Sequence, residues 1–318
     1  MRSTLKVLIY YHIPEYVDRY ENLLKTARED IYLITSKNEK QIDQFIEIAD
    51  IIFSGSSFPV EYLSKAKNLK WIQSMSAGVE NFMRSKVIPA HVLITKPKGI
   101  FGPHMAEYVI GYILALSQKM KRVFENQKKR VWDPFIVETI HNKVAGVMGL
   151  GSVGTHVAYK LHLMGVEVIG YEERERNLPF IKHEYSKLEL NEFLEIADYV
   201  IITLPLTENT VGLLGERQLA SMKKSAYLIN VSRGPLVQEE ALIYALKKHQ
   251  IAGAVLDVFD KEPLPKEHPF WEMENVIITP HISAPSLPED LAKIFLENLK
   301  RFEEGKDLIG VVDRARGY

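Results

Sequence analysis

Four polar residues in the last third of the chain share one pattern. Arg233 stands in Asn230-Val231-Ser232-Arg233-Gly234 and Asp257 near the end of the apolar run 253–258. Glu262 follows in Asp260-Lys261-Glu262-Pro263, and His281 comes just after Thr279-Pro280. A guanidinium is planar with paired donors, so Arg233 can hold a carboxylate and polarise a carbonyl oxygen beside it. Histidine exchanges a proton near neutral pH, and a neighbouring carboxylate orients its ring and favours imidazolium. Arg233, Glu262 and His281 are therefore the candidate catalytic set for a reaction that builds negative charge on a carbonyl oxygen and then protonates it. Taken singly, each has a plainer explanation as a surface charge or a hydrogen-bonded histidine. Their joint placement favours function.

Upstream, Gly149-Leu150-Gly151-Ser152-Val153-Gly154 fits G-x-G-x-x-G. It follows a predicted strand at 144–148 and opens a predicted helix at 152–164, the context that gives this short pattern meaning. Gly149 permits a tight turn, Gly151 lets backbone approach a pyrophosphate, and Gly154 lets the helix pack close to the sheet. The helix start at Ser152 and Val153 offers N–H groups and a positive dipole end to phosphates. The acid that reads an adenosine ribose is expected about 20 residues further on. Glu172 stands there, directly after the predicted strand 166–171, and favours NAD because a carboxylate repels a 2′-phosphate. Arg174 and Arg176 lie close enough to hold such a phosphate, so NADP stays open. A dinucleotide beside Arg233 and His281 points to hydride addition. A 2-oxo acid, with its carboxylate next to a keto oxygen, is the substrate this set suits.

These residues need a scaffold that aims them at one rim. Short runs rich in Val, Ile and Tyr alternate with longer amphipathic stretches, the signature of βαβ units around parallel sheets. The first third supplies strands at 7–10, 31–35, 50–54, 71–74 and 92–95, with a helix around 16–27. A breaker cluster at 99–103 places Pro103 at a first helical position. One long helix is expected from about 103 to 130; its start is apolar nearly all round, which predicts burial between domains with Met105 and Tyr112 as packing residues. Six further strands follow, at 144–148, 166–171, 199–204, 226–231, 253–258 and 276–279, the number in a doubly wound dinucleotide fold. Ligands of such sheets bind outside the carboxyl ends of the strands, where Arg233, Asp257, Glu262 and His281 fall. A faint internal echo, Glu47-Ile48-Ala49-Asp50 against Glu195-Ile196-Ala197-Asp198, supports a shared design for both halves. The predicted helix 287–302 is long enough to cross back to the first domain.

A length of 318 residues exceeds what one core usually serves. With 46% hydrophobic and 25% charged residues and a formal net charge of -1, the chain has an ordinary globular composition, with no electrostatic reason to bind nucleic acid or an anionic membrane. There are no cysteines, which excludes disulfides, thiolate catalysis and cysteine-bound metal. The histidines show no ligand spacing, so no metal is expected. Met1-Arg2-Ser3-Thr4 runs directly into a strand-like segment without a secretory pattern, and no apolar run is long enough to span a bilayer. A cytoplasmic protein is the expectation.

The chain resembles the D-isomer-specific 2-hydroxyacid dehydrogenase family. The resembling stretches are GLGSVG at 149–154, LPLTENTVGLLG at 204–215, LINVSRGPLVQEEAL at 228–242, GAVLDVFDKEPLP at 253–265 and TPHIS at 279–283, joined by SAGVEN at 76–81 and MAEYVIGYILAL at 105–116. The resemblance implies an α/β protein with two doubly wound parallel-sheet domains. A Rossmann nucleotide domain (99–285, binding NAD(P)) is inserted in a flavodoxin-like substrate domain (1–98 and 286–318), with the active site in the cleft. It places the family's catalytic Arg, Glu and His on Arg233, Glu262 and His281, and its nicotinamide-carboxamide contact on Asp257. Backbone amides of Ala77 and Gly78 would hold the substrate carboxylate beside Arg233 and His281. Thr203, Leu204 and Pro205 would line the adenosine, and Val231, Arg233, His281, Ser283 and Ala284 complete the implied cofactor contacts. Glu172 and Glu80 stand where the family usually shows Asp.

Residues 125–134, ending Arg130-Val131-Trp132-Asp133-Pro134, and the tail 311–318 resemble the glyoxylate/hydroxypyruvate reductase branch. That branch implies a homodimer through the nucleotide domain, with Trp132 either reaching the partner's substrate pocket or packing in the interface. Two alternatives stay within the fold. One is phosphite-type oxidation with NAD; formate oxidation is disfavoured, because formate enzymes of this superfamily carry Gln at the place of Glu262. The other is a non-catalytic, NAD(H)-sensing corepressor-like protein.

Overall fold

The computed structural model describes residues 5–315. Met1-Arg2-Ser3-Thr4 and the last three residues of the branch-specific tail, Arg316-Gly317-Tyr318, lie outside the described residues. The chain divides into two compact units, Met1–Ile100 with Ser286–Tyr318, and Phe101–Pro285.

The first unit opens with β1 (Lys6–Tyr10), α1 (Pro14–Ala27), β2 (Tyr32–Ser36), α2 (Glu39–Phe45), β3 (Ile51–Ser54), β4 (Trp71–Ser74), α3 (Glu80–Arg84) and β5 (Leu93–Thr95). Its strands pair in parallel in the order β2-β1-β3-β4-β5, the flavodoxin-like arrangement. Every residue of β3 and β4 is buried, as expected of parallel strands covered on both faces. Helix α1 starts with Pro14 at its first position and buries Val17, Tyr20 and Leu24, one stripe of a helical repeat.

In the second unit come α4 (Phe101–Ser117), α5 (Met120–Lys129), β6 (Val144–Met148), α6 (Ser152–Leu163), β7 (Glu167–Tyr171), β8 (His183–Tyr185), α7 (Leu190–Ile196), β9 (Tyr199–Ile202), α8 (Glu216–Ser221), β10 (Tyr227–Asn230), α9 (Glu239–Lys247), β11 (Gly253–Leu256) and β12 (Val276–Ile278). The sheet is parallel throughout, in the order β12-β11-β10-β9-β6-β7-β8. Counted from β6, this is the doubly wound dinucleotide order with one strand added beyond the sixth. The chain reverses direction across the sheet between β8 and β9, so the switch point lies at the carboxyl ends of β6 and β9.

Two expectations need correction. The sheet has seven strands, not six: β8 is a three-residue edge strand, His-Glu-Tyr, with no apolar run to betray it. A charged, short strand suits an edge because it discourages further pairing. The predicted helix at 103–130 is two helices. Lys119 adopts the left-handed conformation (φ 51°) between them. There the returning segment takes over the end of α4: Glu138 N–H donates to the Ser117 carbonyl at 2.9 Å, and Gln118 Nε2 donates to the Glu138 carbonyl at 3.0 Å. Neither Gly nor Pro marks the break, so helical periodicity alone runs straight through it.

Helix α10 (Pro288–Glu303) returns the chain to the first unit. Acidic Glu289 and Asp290 in its first turn and basic Lys300 and Arg301 in its last complement the helix dipole. Phe295 stacks on Phe53 (centroids 4.5 Å apart) and on Trp71 (5.4 Å), all three fully buried. Burying side chains of this size contributes about 1.5–3 kcal/mol each, which anchors a segment separated from β1–β5 by the whole second unit. Among the described residues no helix is long and apolar enough to cross a membrane.

Candidate active site

The phosphate loop forms as its glycines require. Gly149 follows β6 with φ 94°, a left-handed backbone, and Gly151 is the N-cap of α6 with no side chain capping the first-turn N–H groups. A Cβ on Gly154 would stand 1.9 Å from the Gly149 carbonyl oxygen, so only glycine admits this close packing. Space around a Cβ at Gly151 is open, leaving room for an anion above Ser152 and Val153. An uncapped helix start above a glycine cradle fits the pyrophosphate of a dinucleotide.

Neighbouring strand ends brace this loop. Thr203, just past β9, donates its hydroxyl to the Met148 and Gly149 carbonyls at 2.9 and 2.7 Å. Ser232 reaches the Leu204 carbonyl, which fastens the turn after β10 to the segment holding Leu204 and Pro205. Glu172, directly after β7, accepts the Leu150 N–H on Oε2 at 2.7 Å and the Glu173 N–H on Oε1 at 3.1 Å. The carboxylate is thus held against the phosphate loop. Arg174 and Arg176 are exposed beyond it.

Three adjacent strand ends carry the polar set. After β10 lie Val231, buried, and Arg233, half-buried, whose Nη1 donates to the Ser232 carbonyl at 2.6 Å; Asn230 Nδ2 in turn donates to the Arg233 carbonyl at 2.9 Å. After β11 lies Asp257, fully buried. Its Oδ1 accepts the Ile282 N–H at 2.8 Å and the Thr279 hydroxyl at 2.5 Å, and its Oδ2 accepts the Ser283 N–H at 2.9 Å. These bonds fasten the loop after β12, with Ser283 buried and Ala284 half-buried, onto the end of β11. Within that loop His281 adopts φ 54°, and its N–H donates to the Asp257 carbonyl at 3.0 Å.

His281 Nδ1 lies 2.8 Å from Glu262 Oε2, and the Phe259 N–H donates to Glu262 Oε1 at 3.0 Å. The side chains of His281 and Glu262 are 51% and 36% exposed, so the ring keeps an open edge beyond this pair. Hydrogen bonding to Glu262 is the main influence raising the His281 pKa above its ordinary value, against burial and the Arg233 charge; Asp257 adds to the rise. Burial pushes Glu262 up, but bonds from His281 and the Phe259 N–H, with the charges of His281 and Arg233, hold it below the usual carboxylate range. A proton therefore resides more firmly on the histidine than in water. Such a ring can deliver a proton from Nε2 while Nδ1 stays bound.

In the first unit, Ala77 is half-buried and Gly78 buried in the loop after β4. Ser74 shapes that loop by donating to the Ser76 carbonyl at 2.9 Å and accepting the Ser76 N–H at 3.0 Å. Asn81 ties it to the loop after β3 through the Ser56 and Phe58 carbonyls, at 2.9 and 2.8 Å.

Sequence reasoning missed Tyr108 and Thr279, which join Asp257 in a chain of hydrogen bonds. No local signal could have found them, because Tyr108 meets a residue 171 positions away. A cavity of about 340 Å³ lined by His162, Glu167, Phe180 and Lys182 lies at the amino end of β7. It is at the wrong end of the sheet for the polar set, so concavity alone would misplace the site. Among the described residues no group of three or more His, Asp or Glu could hold a metal ion.

Comparison with known proteins bears on the family and the fold. Residues 110–283 match the family described as D-isomer specific 2-hydroxyacid dehydrogenase, NAD binding domain. The chain is 34% identical over 248 residues to a glyoxylate reductase of Thermofilum pendens, covering 75% of this chain and 73% of the relative. Among solved structures, a D-isomer specific 2-hydroxyacid dehydrogenase family protein from Aeromonas salmonicida superposes with a TM-score of 0.92 at 34% identity, over 98% of this chain and 100% of that one. An NADPH-dependent glyoxylate/hydroxypyruvate reductase from Sinorhizobium meliloti, solved with NADP and sulfate, gives a TM-score of 0.90 at 28% identity over 99% of this chain and 100% of that one. With a family match over more than half its length, and relatives alike across nearly all of it, this chain belongs to the D-isomer specific 2-hydroxyacid dehydrogenase family of NAD(P)-dependent oxidoreductases.

Proposed function

We propose that the chain reduces a short 2-oxo acid of the glyoxylate or hydroxypyruvate type to its D-2-hydroxy acid. His281 is the proton donor, Glu262 its partner, and Arg233 the group that binds the carboxylate and keto oxygen. The observation that carries this reading is the 2.8 Å His281–Glu262 pair with the Arg233 charge acting on both members.

The residues divide the work. Glu262 accepts a hydrogen bond from the Nδ1–H of His281, which leaves Nε2–H as the proton available to a substrate. Arg233 draws electron density toward the keto oxygen and neutralises charge as it develops there. When bound, the reduced nicotinamide supplies a hydride to the carbonyl carbon. As the C=O π pair moves onto oxygen, His281 Nε2 gives up its proton to that oxygen and the ring becomes neutral. Backbone N–H groups of Ala77 and Gly78 fit the role of carboxylate donors that the family resemblance implies. Asp257 keeps unused acceptor capacity on Oδ2, which suits a contact to a carboxamide.

For the cofactor, the reading is NAD in preference to NADP, because Glu172 presents a carboxylate where a ribose 2′-phosphate would sit. Exposed Arg174 and Arg176 favour the second reading, and the Sinorhizobium relative holds NADP. A panel of short 2-oxo acids with NADH and NADPH tests substrate and cofactor together. Oxidation of NADH by glyoxylate or hydroxypyruvate is expected, with a Glu172→Ser variant shifted toward NADPH. Phosphite-dependent reduction of NAD, or tight NADH binding without turnover of any acid, would displace the proposal.

The active form is proposed to be a homodimer. None of the α5 residues is buried, and Phe124, Trp132 and Ile136 stand 57%, 95% and 85% exposed on α5 and the segment after it. An apolar strip of that kind needs a cover, and a second copy matches the branch resemblance. Sedimentation equilibrium should give twice the chain mass. A monomer, or a dimer undisturbed by Trp132→Glu and Ile136→Glu together, would refute the assignment of this surface.

A further inference from the structure

A chain of hydrogen bonds runs from helix α4 to the base of the His281 loop. Tyr108 Oη lies 2.6 Å from Thr279 Oγ1, and Thr279 Oγ1 lies 2.5 Å from Asp257 Oδ1. The donor order follows from the partners. Asp257 already accepts two backbone N–H groups and acts as acceptor toward Thr279. Thr279 has one hydroxyl proton and spends it on Asp257, so its remaining capacity is to accept, and Tyr108 must donate. The Thr279–Asp257 link lies out of water, with Thr279 5% exposed and Asp257 fully buried, and Tyr108 is half-buried. Burial pushes the Tyr108 phenol well above its ordinary pKa, so the donor keeps its proton across the working range.

Asp257 also anchors His281. It accepts from His281, Thr279, Ile282 and Ser283, so the loop that holds His281 at φ 54° is built around this one residue. The groups acting on the His281 ring are Glu262, Arg233 and Asp257, and those facing Tyr108 are Tyr112, Thr279 and Asp257. We propose that Tyr108 is a positioning residue for His281, acting through Thr279 and Asp257 to fix the loop and to temper the negative field that Asp257 exerts on the ring. Each donor in the chain draws charge from the buried carboxylate, and in a water-poor interior linked bonds polarise one another. Removing a donor leaves Asp257 a stronger anion, which holds the His281 proton more tightly.

The catalytic meaning of this inference rests on the proposed role of His281, but its test does not. The sequence holds ten histidines, and the ring resonance of His281 is identified by its loss in His281→Asn. Its titration midpoint is then followed by NMR in the unmodified protein and in Tyr108→Phe, Thr279→Val and Thr279→Ser. Tyr108→Phe should raise the midpoint, Thr279→Val should raise it further by removing the donor nearest Asp257, and Thr279→Ser should leave it in place. An unmoved or lowered midpoint in Tyr108→Phe overturns the proposal, as does a shift in Thr279→Ser equal to that in Thr279→Val. A role confined to packing predicts lost stability with no change of midpoint. Failure of the 2-oxo acid panel would bear on the proposed reaction alone, since the titration requires no turnover.

Discussion

His281→Asn should lower kcat for 2-oxo acid reduction by about 10²–10⁴-fold, the range supplied by a positioned acid or base. Asparagine is the informative replacement. His281 holds a left-handed backbone, φ 54°, which asparagine tolerates better than most residues. Its amide can still donate a hydrogen bond toward Glu262, so the loop fastened to Asp257 is expected to keep its shape. What disappears is the proton that the proposed mechanism transfers. Binding of NADH, followed by fluorescence, should stay near that of the unmodified protein while turnover collapses in both directions. Turnover close to the unmodified rate would remove His281 from the chemistry.

Glu262→Gln should displace the pH dependence downward. On the proposed mechanism reduction needs imidazolium, so in the unmodified protein it should be present below the His281 pKa and fade as pH rises through it. Oxidation needs the neutral ring and shows the opposite trend. The bond to Glu262 is the largest influence raising the His281 pKa. Glutamine can still accept the Nδ1–H but carries no charge, so burial and Arg233, which already act to lower the value, meet weaker opposition. The reduction limb therefore moves to lower pH, and oxidation extends to lower pH with it. On the alkaline side each unit of displacement costs about tenfold in reduction rate, because the protonated fraction falls by that factor. Full pH–rate profiles of kcat/KM in both directions make the measurement. A limb that stays where it was would show that Glu262 does not govern the ring. The displacement is opposite in sign to that expected for Tyr108→Phe, so the two carboxylates near His281 are separable by experiment.

Much of this site was legible in the chain because its signals are local. The phosphate loop is six consecutive residues between a strand and a helix, and the backbone freedom of glycine ties each position to a task. Arg233, Asp257 and His281 could be placed because each follows an apolar run closely, and parallel strands present their carboxyl ends to one rim. The same locality explains the errors. Edge strand β8 has too little apolar character to register, and the break at Lys119 comes from Glu138, a residue 19 positions further along, bonding to the end of α4.

The amino-acid sequence by itself determined the fold class, the family, the dinucleotide loop and the residue types of the proposed catalytic set, because propensity, periodicity and turn chemistry act over a few residues. Only the tertiary structure decided how that set is held. It brought Glu262 to Nδ1 of His281, locked Glu172 onto the phosphate loop, and joined Tyr108 to Asp257 through Thr279. Such bonds depend on which strand ends become neighbours and on the directions of buried donors. Those are set by the packing of the whole sheet, where an unpaired buried polar group is costly enough that partners distant in the chain are drawn together.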